Sequence, residues 1–383
     1  MPLRVVPITD EAGFFGMKAE WGDLLGRSAS DTIFLTWEWL AAWWKAYGNG
    51  NPLYLLRVEK DSHLIGLAPF YRKKIGRFGL SFRVIALLGD GSYDSDYLDW
   101  ISVAGTEETV SAAVMDHLAA HSDEWDVLLV NEIPESSPHL DAIREYSQRR
   151  GWYRNETEVS CAYVDLPPKW NQYLQSLKPR MRTKIRSLTR ALEESHEIRY
   201  EQCERTSDLP ERLGSLFELH EKRWQRENKP GVFASMAKRN FYLEMGSTFL
   251  SLGWLRFYSL LVDGKYVAHQ YCFEYGNKMF LLQEGFDPAW DEQGVGNVLR
   301  GFVFRDCIER KVDVYDFLGG LTQHKLSWGS AVKINIRIST GVRNSKNRIY
   351  FELPDLVEKG KRQLKTILPE PVIEWVKAMR DRS

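Results

Sequence analysis

The chain has 383 residues, 44% of them apolar, which suffices for a large core and makes two domains a more natural expectation than one. Its 51 basic and 52 acidic residues nearly cancel, so overall charge gives no support for nucleic-acid binding. No apolar run of about 18 residues occurs, and residues 1–8 lack the apolar core of a signal peptide, so we expect a soluble cytoplasmic protein. The four cysteines are widely spaced without a C-x-x-C pair, which predicts buried thiols and no metal site.

The first half of the chain alternates between short apolar stretches and amphipathic ones. The predicted strands cover residues 3–8, 53–59, 64–71, 82–88, 97–103 and 125–130, and the predicted helices cover 10–27, 36–47, 107–120 and 142–149. Thr36 is expected to cap the second helix, in which Trp39 and Trp43 are four residues apart and therefore share a face. We expect this aromatic face to pack on a sheet.

The second half repeats that order of elements. Its predicted strands cover residues 162–166, 198–201, 254–262, 266–275, 279–286, 312–317 and 333–339, and its predicted helices cover 170–176, 179–194, 210–227, 237–250 and 293–309. Asp263-Gly264 is a strong hairpin signal. The sequence therefore predicts two similar α+β domains, 1–160 and 161–340, each with a mixed, mostly antiparallel sheet flanked by helices. A basic helical tail, 341–383, would follow, interrupted at Pro369 and Pro371.

Two motifs in the second half carry a family resemblance. Residues 285–296 read G-F-D-P-A-W-D-E-Q-G-V-G, and residues 313–328 read D-V-Y-D-F-L-G-G-L-T-Q-H-K-L-S-W. This order of a G-x-D-P corner, a glycine-opened helix, a strand ending Y-D-F-x-G and a K-x-x-W turn resembles the FemAB/CelD-like (BioF2-like acetyltransferase) branch of the GNAT acyltransferases. The resemblance covers roughly residues 164–339. It implies tandem GNAT-like domains and an acyl-transfer activity.

The resemblance implies that acyl-CoA is the donor, bound at Gln293, Gly294, Val295 and Gly296. In GNAT domains a glycine-rich loop opens a helix and offers backbone N–H groups to the pyrophosphate. The chain departs from the family pattern upstream of these glycines, where Asp291-Glu292 places two acids beside a phosphate site. A second interpretation therefore stays open, in which the glycines serve only close packing and the start of the helix.

Three residues are candidates for catalysis: Glu284, His269 and Asp316. Attack of an amine on a thioester requires a group that takes a proton and a donor that stabilises the oxyanion. Glu284 stands in an otherwise apolar strand just before the glycine loop, where an unused carboxylate would be costly. His269 and Glu284 are each seven residues from the turn at 276–277, so they are expected to be cross-strand neighbours and to form a coupled pair that raises the pKa of the histidine.

Five residues are candidates for acceptor binding: Lys325, Arg182, Arg186, Asp96 and Trp328. Lys325 and Trp328 belong to the K-x-x-W turn, and the lysine is the residue that contacts the acceptor in FemAB-like enzymes. Residues 178–190 carry six basic residues and no acid, which predicts either an anion-binding helix face, a solvated face or an RNA-binding arm. Asp96 lies in a stretch, 89–99, that resembles a further family motif in the first domain.

The predicted function is transfer of an acyl group from acyl-CoA to an amine or hydroxyl of a cell-envelope or exopolysaccharide precursor. The polysaccharide context is implied by the CelD-like resemblance. Two alternatives stay open: aminoacyl transfer from an aminoacyl-tRNA, and a non-catalytic scaffold of polysaccharide synthesis. The expected partners are a small-molecule or glycan-precursor acceptor and membrane-associated polysaccharide machinery, whereas nucleic acid is disfavoured.

Overall fold

The computed structural model describes residues 3–92, 94–226 and 231–354. Its strands are β1 Leu3–Ile8, β2 Leu53–Lys60, β3 His63–Arg77, β4 Leu80–Leu87, β5 Ile101–Ser102, β6 Val127–Pro134, β7 Tyr153–Asp165, β8 Ile198–Gln202, β9 Leu255–Val262, β10 Lys265–Tyr275, β11 Lys278–Phe286, β12 Val314–Gly319 and β13 Ala331–Gly341. Its helices are α1 Glu11–Gly16, α2 Lys18–Gly26, α3 Trp37–Tyr47, α4 Glu107–Ala120, α5 Pro138–Arg150, α6 Trp170–Ser176, α7 Pro179–Ser195, α8 Leu209–Arg226, α9 Met236–Ser251, α10 Val295–Glu309 and α11 Gln323–Ser327. Residues 345–354 are also helical.

All 13 strands belong to one sheet, in the order β1-β2-β3-β4-β6-β13-β7-β12-β11-β10-β9-β8, with β5 paired to β3. Among the described strands, β4–β6 and β11–β12 are the parallel pairs, and the other pairs are antiparallel. The predicted α+β class with a mixed, mostly antiparallel sheet is confirmed. β13 pairs with β6 on one side and with β7 on the other, so the last strand joins the sheets of the two halves.

The proposed domain boundary between residues 160 and 161 falls inside β7, and it stays a prediction. Of the predicted tail, residue 341 ends β13 and 345–354 are helical. Pro369 and Pro371 lie outside the described residues.

The two parallel pairs share one geometry. In the first half, Val84–Ala86 pair with Val127–Leu129. In the second half, Lys278–Phe280 pair with Val314–Asp316. Each pair therefore keeps three residues in register and then separates, so that each half of the chain contains an opening between two neighbouring strands.

Two elements of the first half differ from their predictions. The helix predicted for 10–27 is broken at Met17 into α1 and α2. The strand predicted for 97–103 shrinks to β5, because residues 88–100 leave the sheet as a loop in which Tyr97 has a φ of 53°. This loop brings Asp94 and Asp96 to the second half of the chain.

Aromatic packing joins the halves on the helical side of the sheet. Thr36 caps α3 as predicted, accepting a hydrogen bond from the backbone N–H of Trp39. Trp39 and Trp43 are buried, as predicted. The Trp39 ring lies 5.5 Å from that of Phe241 on α9 and 5.7 Å from that of Phe273 on β10. Edge-to-face packing of this kind stabilises the contact beyond the buried area alone.

Candidate active site

A cleft of about 620 Å³ opens in the second half where two neighbouring strands separate. The pairing of β11 with β12 ends at Phe280 and Asp316, although both strands continue towards α10. Backbone groups of β11 beyond Phe280 therefore face the opening without a partner strand on that side. Residues of α8 and α10 complete the walls. We call this space the main cleft.

A β-bulge in β11 shapes the wall of the main cleft. β11 pairs Leu281 with Cys272 but Gln283 with Tyr271, so Leu282 is an extra residue on its strand. A bulge leaves its extra residue outside the regular ladder and twists the strand locally. Leu282 and both of its neighbours line the main cleft.

The bulge also overturns the predicted histidine–glutamate pair. His269 faces Gly285, and Glu284 faces Gln270, because one extra residue shifts the register by one position. Both ring nitrogens of His269 lie 2.9 Å from serine hydroxyls, those of Ser259 and Ser215. Burial lowers the pKa of His269 to about 3, whereas a raised pKa was predicted. His269 is therefore a neutral histidine with its hydrogen bonds satisfied.

Glu284 lines the main cleft and forms an ion pair with Arg300 of α10. Burial acts to raise the pKa of Glu284, but the guanidinium of Arg300 outweighs it and holds the pKa below its usual value. Arg300 also donates to Nε2 of His324, so the proton of the neutral imidazole is assigned to Nδ1. Burial and the neighbouring Arg300 lower the pKa of His324, and this histidine is neutral at pH 7.

Trp328 packs against Arg300 and thereby supports the contacts that Arg300 makes with Glu284 and His324. It is fully buried and does not line the main cleft, so its predicted contact with a substrate is wrong. The guanidinium of Arg300 lies 5.4 Å from the Trp328 ring and 5.2 Å from the Phe317 ring. Cation–π contacts of this kind are strengthened when the cation is desolvated. Trp328 therefore holds Arg300 in position.

Lys325 lines the main cleft, but its ammonium group is occupied. The Nζ atom donates to the carbonyl oxygens of Phe317, Leu318 and Gly319 at 2.8, 3.3 and 2.7 Å. An ammonium group has three protons to donate. Burial lowers the pKa of Lys325. The lysine therefore fixes the end of β12, where Leu318 has a φ of 60°, and the predicted contact with an acceptor has no free donor here.

Asp316 is fully buried and lies outside the lining of the main cleft. Its carboxylate is 2.7 Å from Nζ of Lys333 and accepts from the Tyr97 hydroxyl at 3.0 Å and from the Leu318 backbone N–H at 2.8 Å. These partners satisfy the carboxylate. Asp316 thus joins the two halves, and its position gives no support to a catalytic role.

Asp96 comes from the first half and lines the main cleft at the end of β12. Its Oδ2 accepts from the backbone N–H of Gly319 at 3.3 Å. Burial, assisted by the neighbouring Glu132 carboxylate, raises the pKa of Asp96 to about 7. A carboxyl group with this pKa changes its protonation state near neutral pH, which suits a general base.

The basic helix α7 contributes to the main cleft a different residue from the two that were predicted. Lys184 lines the main cleft, whereas Arg182 does not. Arg186 lines a separate hollow of about 270 Å³ on another face of α7. The prediction that Arg182, Arg186 and Lys325 face one cleft is therefore wrong, because the face with four-residue spacing points away from the cleft.

Three of the four predicted donor-binding residues line the main cleft, and the fourth does not. Gly294, Val295 and Gly296 line the main cleft at the start of α10, whereas Gln293 is exposed and outside the lining. The first N–H groups of a helix have no intrahelical acceptor and favour anions. Two cations that line the cleft, Lys184 and Arg223, form no ion pair within the described residues.

Gly294 has a structural requirement of its own. It caps α10 with a φ of 62°, and a Cβ atom there would lie 2.6 Å from Cδ1 of Leu188. We expect Gly294→Ala to lower the free energy of unfolding by about 1–3 kcal/mol, because alanine is strained in this conformation. Gly296→Ala is the matched control, since its Cβ would make only ordinary contact with Phe286 at 3.4 Å. Urea unfolding of both variants measures the difference, and equal stability would contradict a rigid turn at Gly294.

Sequence reasoning missed several residues of the cleft: Lys184, His220, Arg223, Arg300 and His324. Nε2 of His220 accepts from the indole N–H of Trp224 at 2.9 Å, so the ring proton lies on Nδ1. That atom is buried without a hydrogen-bond partner in the part of the chain described, and burial lowers the pKa of His220 to about 4. The four-residue spacing of His220 and Trp224 on α8 was the available signal.

Comparison with known proteins agrees with this geometry. Residues 179–326 match the acetyltransferase (GNAT) domain family. This segment is therefore similar to GNAT domains. No curated protein sequence matches the chain.

Solved structures extend the similarity to nearly the whole fold. FemX aligns with a TM-score of 0.64 at 11% identity, covering 91% of this chain and 100% of FemX. A conserved protein of unknown function from Bacteroides thetaiotaomicron aligns with a TM-score of 0.56 at 11% identity, covering 88% of this chain and 100% of that one. L-PGS from Bacillus licheniformis aligns with a TM-score of 0.52 at 10% identity, covering 87% and 95%. These likenesses are to the fold, and they agree with the resemblance to the FemAB-like GNAT branch.

The four cysteines of the chain are buried free thiols, as predicted. Within residues 3–92, 94–226 and 231–354, no cluster of three or more His, Cys, Asp or Glu side chains could hold a metal ion. No helix of the described segments has the length and apolar character needed to cross a bilayer.

Proposed function

We propose that the protein is an acyltransferase that moves an acyl group from acyl-CoA to an amine or hydroxyl of a cell-envelope or exopolysaccharide precursor. The observation that carries the proposal is the separation of β11 from β12 beside the glycine-started helix α10. Separated strands provide unpaired backbone groups, and a helix start provides an anion site. The choice of acceptor rests on the sequence resemblance to the CelD-like branch.

The charges around the main cleft support a donor that carries phosphate groups. Lys184 and Arg223 stand on two different helices, and both line the space in front of the α10 start. Asp291 is an opposing charge in the same lining, but it is exposed and therefore well screened. A bound acyl-CoA would supply an activated carbonyl, and Lys184, Arg223 and the N–H groups of 295–296 would hold its anionic part.

Asp96 is the best-placed proton acceptor. It lines the main cleft and its pKa of about 7 leaves it partly ionised at neutral pH. Glu284, in contrast, is held ionised by Arg300, and an ion-paired carboxylate of lowered pKa is a weak base. We therefore assign the general-base role to Asp96. The Glu284–Arg300 pair belongs to the wall of the same cleft.

Calorimetric titration with acetyl-CoA and palmitoyl-CoA tests the proposal. We expect wild-type protein to bind at least one of them and Gly296→Val to abolish that binding with the far-UV circular dichroism unchanged, because a branched side chain would block the helix start. Gly214→Val is the matched control, since Gly214 is an exposed helical glycine with nothing near its Cβ position. Wild-type protein that binds no CoA thioester at millimolar concentration would contradict the proposal and favour a non-catalytic binding protein.

Lys184 provides an independent test of donor binding. We expect Lys184→Ala to weaken acetyl-CoA binding by about tenfold to hundredfold, the effect of losing one charge-assisted contact. Binding of a short thioester without phosphates, S-acetyl-N-acetylcysteamine, should not change. Arg186→Ala is the control on the same helix, because Arg186 lines a different hollow. An equal loss in both variants would indicate a general effect of helix charge and would contradict a specific contact.

A further inference from the structure

The basic stretch at the start of α7 is not accounted for by the main cleft. Its six cations are Lys178, Arg180, Arg182, Lys184, Arg186 and Arg190. Of these, Lys184 lines the main cleft. All except Arg182 are exposed. Arg190 pairs with Glu194 at 3.2 Å, whereas the other five form no ion pair with any residue that the structure describes. The start of α7 is therefore a surface of positive charge that the chain itself does not neutralise.

The order of charges along α7 is the reverse of the order that stabilises a helix. Acids stabilise the start of a helix and cations its end, because the helix dipole is positive at the start and negative at the end. The first turn of α7 contains no acid and its last turn no cation, whereas Glu193 and Glu194 lie near its end. Arg182, Arg186 and Arg190 are spaced by four, so like charges are neighbours and repel. An anionic partner outside the chain would relieve this repulsion.

α7 also borders the hollow of about 270 Å³ that Arg186 lines. We call it the arginine hollow, because Arg190 of the same helix and Arg305 of α10 line it as well. Its lining contains one acid, Glu193, so the three arginines leave it a formal charge of +2. The guanidinium of Arg305 lies 5.5 Å from the ring of Trp170. Guanidinium groups match the geometry of a phosphate group and bind it with paired hydrogen bonds. The arginine hollow therefore suits a phosphate ester.

The distribution of charge favours a membrane over a nucleic acid as the partner. A domain that binds nucleic acid is typically basic as a whole, whereas this chain has a net charge of −1. A cluster of about four to eight lysines or arginines on one amphipathic helix is enough to attract anionic lipids. The apolar residues of α7, Met181, Ile185 and Leu192, are buried in the protein. The helix can therefore lie on lipid headgroups, but it has no apolar face left to insert among acyl chains.

We propose that α7 and the arginine hollow form a docking surface for a bilayer that contains anionic phospholipids, with headgroup phosphates bound by Arg186, Arg190 and Arg305. Lys184 of the same helix lines the main cleft, so docking brings that cleft to within about one helix diameter, roughly 10–12 Å, of the headgroups. Under the proposed function this position suits an acceptor that is carried on a lipid. Binding to the bilayer is itself independent of acyl transfer.

Cosedimentation with vesicles tests the docking surface without any thioester or acceptor. The full chain is mixed with vesicles of phosphatidylcholine alone, or of phosphatidylcholine and phosphatidylglycerol in equal amounts. We expect binding to the anionic vesicles and none to the neutral ones. Raising the salt from about 0.1 M to about 1 M should release the protein, because the screening length falls from about 10 Å to about 3 Å.

Two double variants locate the surface. Arg186→Gln with Arg305→Gln should weaken binding to the anionic vesicles by about tenfold to thirtyfold, since each cation near a charged bilayer raises the affinity about fivefold. Arg149→Gln with Arg150→Gln is the matched control, because these two arginines are exposed at the end of α5 and the net charge changes equally. The control should bind as the wild type does. Far-UV circular dichroism checks that both double variants are folded.

Several outcomes would overturn the inference. They are absence of binding to anionic vesicles at low salt, equal binding to neutral vesicles, and an equal loss in the two double variants. Release by millimolar glycerol phosphate, but not by chloride at the same ionic strength, would indicate a soluble phosphate ester as the ligand. Binding of a mixed-sequence RNA oligonucleotide in place of vesicles would indicate an RNA-binding arm. Either result would contradict membrane docking, and neither bears on acyl-CoA binding, whose failure contradicts the proposed function instead.

Discussion

Asp96→Asn should lower kcat by about 10²–10⁴, the usual effect of losing a general base. The carboxylate is the active form, so wild-type activity should rise with pH and level off above about 7, the pKa to which burial raises Asp96. The variant should lack this rise. Acyl transfer to an amine, followed through thiol release between pH 5.5 and 8.5, measures both effects.

Asp96→Asn should raise the stability of the fold at alkaline pH, although it lowers activity. The pKa of Asp96 is about 7 in the folded protein and near 3.8 when unperturbed. The folded state therefore holds the proton more tightly, and ionisation of Asp96 makes the fold progressively less stable as pH rises from about 4 to 7. Asp96→Asn removes this loss, so its Tm at pH 8 should exceed that of the wild type.

Asp291→Asn is the control for both measurements, because it removes an exposed acid from the same cleft and should leave kcat and the pH profile unchanged. An Asp96→Asn variant with full activity and an unaltered pH profile would contradict the assignment of the base.

Arg300→Met should lower the free energy of unfolding by about 1–3 kcal/mol, because it leaves the partly buried Glu284 carboxylate without its cation. Arg300 is 2% exposed and forms its ion pair with Glu284 inside the wall of the main cleft. The double variant Arg300→Met with Glu284→Gln should lose less than Arg300→Met alone, since no unpaired charge remains. Urea unfolding of the two single variants and the double variant measures this coupling.

Arg310→Met provides the comparison for Arg300. Arg310 also pairs with a glutamate, Glu274, but Glu274 keeps a second partner in Arg256 at 2.9 Å. The loss should therefore stay near 1 kcal/mol or below, as for a partly exposed pair. Similar losses for Arg300→Met and Arg310→Met would show that the burial of Arg300 has no special cost.

Local signals predicted most elements of the fold. The helix predicted for 107–120 is α4, and the Asp263-Gly264 turn joins β9 to β10 as expected. Such features depend on capping, periodicity and turn chemistry within a few residues. The loop 88–100 was not predictable in this way. Its Asp94 is buried against Lys238 at 2.8 Å, a contact that joins residues far apart in the chain.

The site was predictable only in part, for a related physical reason. Sequence motifs placed the start of α10 and the strand that carries Glu284, and both line the main cleft. The extra residue of the bulge, Leu282, shifts the pairing register by one position, so that His269 is not the cross-strand neighbour of Glu284. No local sequence pattern indicated a role for Arg300. Its role depends on Glu284 and His324, which lie 16 and 24 residues away in the chain. Lys325 kept the motif position, but its hydrogen bonds go to the backbone.

The position of β13 has a consequence for how the protein folds during synthesis. The strand is formed by residues 331–341 and hydrogen-bonds to β6 and to β7. Until that segment leaves the ribosome, one edge of each half's sheet remains unpaired, and exposed edges invite association with other chains. Final assembly therefore has to await nearly the whole of the described chain, and pairing across such sequence distances is slow. Truncation before residue 331 should yield aggregation-prone fragments, in contrast to a protein whose first domain can finish folding while the second is still being made.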